Sequence, residues 1–240
     1  MAELKLDTLE EIRAAIRSIK KGARVPYNGG NQDVNLGDHA IYAGNGYFGD
    51  FDAGNYSEFE DDGTLEFHGN ATVWEDQQVN IGTVVKGASA PTEIDYKGGK
   101  VLAFDKAQLN KIYFTAQLSH KYFEGSDIEF HVHLAYPDAG VGGTRWDLTT
   151  SWASIDDTFP AETTARNTIA SPGVADYHQL ASIDSAVGTS AGKKISSVLI
   201  CSLLRRGTHA DDTYDNDIYL VSLDFHIECN TSGSRQISVK

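Results

Sequence analysis

The stretch Asp127-Ile-Glu-Phe-His-Val-His-Leu-Ala-Tyr136 constrains the fold more than any other part of the chain. Ile128, Phe130, Val132, Leu134 and Tyr136 fall on one face, and Asp127, Glu129, His131 and His133 on the other. Period-two alternation rich in β-branched and aromatic residues predicts a half-buried β-strand. Gly125 precedes it and Pro137-Asp-Ala-Gly140 closes it with turn chemistry. A second stretch, Tyr219 to Cys229, repeats the pattern, with Leu223, Phe225, Ile227 and Cys229 inward and Asp224, His226 and Glu228 outward. If the two strands share a sheet, His131, His133 and His226 meet on one face. That face is then either a metal site or a structural seam, and the seam, against another sheet or subunit, is the expectation.

A chain of 240 residues is long enough for one large all-β domain. Its 34 acidic and 20 basic residues give a net charge of −14, which argues against a nucleic-acid groove. No apolar run approaches the roughly 20 residues of a membrane-spanning helix, and the N-terminus lacks a secretory apolar region. Cys201 and Cys229 sit in apolar strand patterns, where a free cysteine behaves as a small hydrophobe. Folding in a reducing cytoplasm is therefore expected.

The chain divides into residues 1–55, a short helix and an extended arm, and residues 56–240, a β-sandwich. Thr8 and Glu11 make a capping box, and Leu9, Ile12, Ile16 and Ile19 follow as an apolar stripe. Such a short helix is marginal alone, so this stripe is the expected interface with a partner. Pro26 to Asn55 is dense in glycine and asparagine but studded with Tyr42, Tyr47, Phe48 and Phe51, as in an arm laid over a neighbouring surface. Beyond it, strands are predicted near 64–67, 71–74, 111–118, 146–152, 195–204 and 217–229. A polar stretch from Asp156 to Gly192 shows little periodicity. Without helix–strand alternation, an antiparallel sandwich or jelly roll follows.

Gly125 followed by His131-x-His133 matches the opening of the cupin metal motif, in which imidazoles at i and i+2 suit zinc, iron or manganese. The rest of that motif is missing, and His226 would have to supply the third ligand. Asp211-Asp-Thr-Tyr-Asp-Asn-Asp217 offers oxygen ligands for calcium but lacks EF-hand spacing, so a solvated turn is expected. There is no Gly-x-Ser-x-Gly elbow, phosphate loop or dinucleotide fingerprint. Trp74, Trp146 and Trp152 could stack sugars, although tryptophans at strand spacing are more often core residues.

Several blocks resemble, in order, uncharacterised structural proteins of tailed bacteriophages. They are Asp62-Gly-Thr-Leu-Glu-Phe-His-Gly-Asn-Ala-Thr-Val-Trp-Glu-Asp76, Ser119-His-Lys-Tyr-Phe-Glu-Gly-Ser126 with Phe130-His-Val-His133, Trp146 to Ala153, and Asp224 to Arg235. The resemblance implies a virion protein with a trimeric β-sandwich body, assembled in the host cytoplasm. An N-terminal arm would join it to other virion proteins in the head, neck or tail. Two other readings stand beside it: a cupin-like metal-dependent enzyme using His131, His133 and His226, and a receptor module that binds a host surface glycan. The resemblance implies no enzyme activity, catalytic residue or cofactor.

Overall fold

The computed structural model describes residues 46–184, 187, 192–237 and 239, all within one unit spanning residues 43–240. The helix expected near Leu9, Ile12, Ile16 and Ile19, and most of the arm, lie outside the described residues. Residues 46–59, at the end of the expected arm, form a hairpin of β1 (Gly46–Asp50) and β2 (Asn55–Phe59), which β3 (Leu65–His68) extends to a three-stranded sheet.

The body is an all-β sandwich of antiparallel sheets, as the alternation predicts. One sheet runs β11 (Thr163–Ala170), β10 (Gly143–Ala153), β13 (Val198–Arg205), β8 (Lys111–Gln117), β5 (Val85–Lys86). The other runs β12 (His178–Asp184), β9 (Ile128–Ala135), β14 (Ile218–Cys229), β7 (Gly99–Phe104), β6 (Thr92–Tyr96). In this second sheet β4 (Val73–Val79) also pairs with β14. The inward residues Ile128, Phe130, Val132, Leu134, Phe225 and Ile227 are fully buried. Phe130 stacks across the sandwich on Phe114 of β8 at 5.8 Å and packs on Phe225 at 5.1 Å. Trp146 and Phe104 meet edge-on at 5.0 Å between the same two sheets. These aromatic contacts add to the burial that holds the sheets together. Cys201 and Cys229 are free and buried, and burial pushes the Cys201 thiol up to about 12.

Strand β14 changes parity. Ile218 and Leu220 face the core at even positions, whereas Leu223, Phe225 and Ile227 do so at odd ones. A register shift against β9 between Leu220 and Ser222 makes the switch, with Val221 left exposed. Because side chains alternate at every residue, one extra residue turns all that follow to the other face. The bulge thus directs Asp224, His226 and Glu228 outward.

Strands β11 and β12 lie inside the aperiodic stretch 156–192, where the sequence pattern predicts no strand. Both are edge strands, each paired on one side only, and each has only one buried residue. No apolar alternation is required of such a strand, so none is written there.

Candidate metal centre

Strands β4, β14, β9 and β12 lie side by side, and their register builds the outer face row by row. Asp76 pairs with His226, which pairs with Glu129. In the next row Gln78 pairs with Asp224, Asp224 with His131, and His131 with Ser182. His133 follows one step along β9, opposite Ser222 and Leu180, and His178 lies opposite Ala135. The expected meeting of His131, His133 and His226 on one face is therefore correct, with His178 and two aspartates added.

Asp76, His131 and His226 each bring one ligand atom to within 4.8 Å of the other two. Donors around an ion held at 2.0–2.2 Å stand roughly 3–3.5 Å apart, so a small side-chain adjustment closes the set. His226 Nδ1 is already 2.7 Å from Asp76 Oδ1. Among the described residues this is the one group of three or more such side chains that converge. The expectation that the protein is no enzyme and needs no active site is corrected by this cluster, because two imidazoles and a carboxylate form a ligand set with catalytic capacity. His133, paired with His131 in the cupin-like reading, is not in the cluster, and Asp76 takes its place beside His131 and His226. Nothing in the local run Trp74, Asp76, Gln78 marks Asp76 out, and only pairing with β14 brings it to His226.

Carboxylates fix the imidazoles from behind. Asp224, 2% exposed, accepts a hydrogen bond from His133 Nε2 at 2.8 Å. Its other oxygen lies 3.4 Å from His131 Nδ1, an electrostatic contact too poor for a hydrogen bond, so Oδ1 is a buried acceptor without a hydrogen-bond donor. His131 Nε2 also stands 3.1 Å from Glu129 Oε2. Trp74 stacks on His226 with centroids 4.8 Å apart and rings 24° from parallel. Beside Trp74 runs an open groove of about 590 Å³, lined by Phe123, Glu124, Asp127 and Glu228 among others. Trp146 and Trp152 are buried, so the three tryptophans form no common sugar platform.

Two other constellations resolve structurally. In the Asp211–Asp217 loop, Asp212 is turned inward onto Arg205. Asp217 Oδ1 accepts from the Lys106 amide, so the loop's carboxylates are divided between tasks. His120 bonds Ser196 Oγ at 2.9 Å and Ser234 Oγ at 2.6 Å, an arrangement like that of an activated serine. The Ser196 amide, however, is spent on Leu118 O, and its hydroxyl also faces Ile237 O at 3.0 Å. The group fastens the C-terminal segment to the body.

No family model matches the chain, and no curated protein does. Among solved structures, a carbohydrate-binding module specific for non-crystalline cellulose aligns with a TM-score of 0.30 and 9% identity. The alignment covers 66% of this chain and 97% of that one. Likeness at this level carries no functional argument.

Proposed function

We propose that the protein is a metal-dependent enzyme whose centre is Asp76, His131 and His226 on the outer face of the six-stranded sheet. The observation that carries this reading is the convergence of two imidazoles and one carboxylate within 4.8 Å from three neighbouring strands. Zinc, iron and manganese suit this ligand set, and three protein ligands leave positions open for water and substrate. A bound ion would supply Lewis acidity to an oxygen of the substrate or to water. Glu129 Oε2 stands 3.1 Å from His131 Nε2, and an open groove lies beside Trp74, whose ring stacks on His226. Dialysed protein titrated with Zn²⁺ or Mn²⁺ should bind at this centre, and His226→Ala and Asp76→Ala should abolish that binding. Turnover in a panel of hydrolytic assays should vanish with chelator and return with metal. Binding unchanged in both variants would overturn the reading.

A second reading, the virion role implied by the sequence resemblance, is favoured by the aromatic surface of the three-stranded sheet. Phe48 and Phe59 pack edge-on and are each about half exposed there, with Tyr47 and Phe51 a second such pair, and exposed apolar patches mark contact surfaces. A homotrimer in light scattering, lost on changing Phe48 and Phe59 to serine, is the expected result; a stable monomer counts against it.

A further inference from the structure

His133 is left over by the centre described above, and its surroundings are those of a ligand. Asp224, buried and able only to accept in its carboxylate form, takes the Nε2 hydrogen of His133 at 2.8 Å. In a neutral imidazole the other nitrogen is then a lone pair. That nitrogen, Nδ1, lies 2.8 Å from Nε2 of His178, and the two rings are within 17° of parallel with centroids 5.1 Å apart, so they meet edge to edge with the His178 N–H donating to His133 Nδ1. A carboxylate behind one ring nitrogen with the opposite nitrogen presented outward is the usual support of a metal-bound histidine.

We infer that His133 Nδ1 and His178 Nε2 form a second divalent-cation site on the same sheet face, next to the Asp76, His131 and His226 centre. Imidazole nitrogens select zinc, copper or nickel over calcium or magnesium. To admit such an ion at about 2.0–2.1 Å from each, the two nitrogens must separate by about an ångström, and His178 must carry its hydrogen on Nδ1 instead of Nε2. His178 allows this, because it is exposed and lies on the edge strand β12. The protein supplies two ligands and water completes the shell, so this is the weaker site. Asp224 links the two sites: one oxygen holds His133 and the other faces His131. The inference rests on the proposed centre for this pairing, while the His133–His178 geometry stands on its own.

The test is calorimetric titration of the full-length protein with Zn²⁺, on the wild type and on His178→Ala and His226→Ala. Both altered residues are on the surface, and circular dichroism should show an unchanged fold. The wild type should bind two equivalents, and each variant one. His178→Ala should lose the weaker isotherm and His226→Ala the tighter one. Two equivalents retained in His178→Ala would overturn the second site. One equivalent in the wild type, unaffected by His178→Ala but lost in His226→Ala, would overturn the second site and leave the proposed centre intact. One equivalent lost only in His178→Ala would sustain the second site and reject the centre.

Discussion

Two aspartates buried in this sandwich, Asp212 and Asp224, are held in opposite ways. Asp212 meets the Arg205 guanidinium side-on, from Nη2 at 2.9 Å and Nε at 3.0 Å, and also accepts the Arg145 amide at 2.9 Å. Arg205, itself fully buried, spends its remaining donors on the carbonyls of Phe104, Asn216 and Tyr214. Every donor direction there is closed by backbone or carboxylate. Asp224 has one hydrogen bond, to an imidazole, and one oxygen without any. Completing a network fixes the fold, whereas an incomplete one on a sheet face keeps a buried charge available to neighbours that can change partners. The difference separates a structural staple from a positioning group.

Removing the staple should have the largest effect. Asp212→Ala strands the Arg205 charge in the core and should cost about 3–5 kcal/mol in denaturant unfolding. A loss under about 1 kcal/mol would dissolve the contrast. Asp224→Asn should lower stability by about 1 kcal/mol while weakening Zn²⁺ binding about 10–100-fold. If stability fell as far as in Asp212→Ala with metal affinity intact, Asp224 would be a staple as well. Alkali probes the staple's surroundings. Burial, chiefly, pushes the phenol of Tyr136, next to Arg205 and Asp212, up to about 12, and Tyr122 to about 12 as well. The unfolded chain releases these protons near pH 10 and the folded chain only near 12, so their contribution is complete below about pH 10 and falls as pH rises toward 12. Phenolate absorbance followed with unfolding should show both tyrosines ionising late. Early ionisation of Tyr136 would mean an open node. The smallest effect belongs to the exposed Lys100–Asp95 pair at 2.7 Å, where Lys100→Ala should leave the melting midpoint unchanged.

The sheet architecture was legible where a strand has one wet face and one dry face. β9 shows this throughout and β14 from Leu223 onward, and their alternation correctly placed Phe130, Phe225 and the histidines. The site was legible only in part. His131 and His226 could be read because they sit on such strands. Asp76 could not, since its neighbours Trp74 and Gln78 are also exposed and nothing local indicates which strand β4 joins. His178 was lost with β12, an edge strand whose residues answer to solvent more than to a core. The bulge at Val221 shows a further limit: the parity change is written in the sequence as Leu220 followed by Leu223, yet its effect on His226 depends on pairing with β9.

The stack of Trp74 on His226 gives the molecule an optical reporter. Of its three tryptophans, Trp146 and Trp152 are sealed in the core at 0% and 3% exposure, while Trp74 is 50% exposed. Indole emission is sensitive to the electronic state of a ring lying against it. Any ion that withdraws electron density from the His226 imidazole therefore changes the fluorescence of Trp74, against a constant background from the other two. Occupancy of the outer face can thus be followed in unlabelled protein, with Trp74→Phe as the blank.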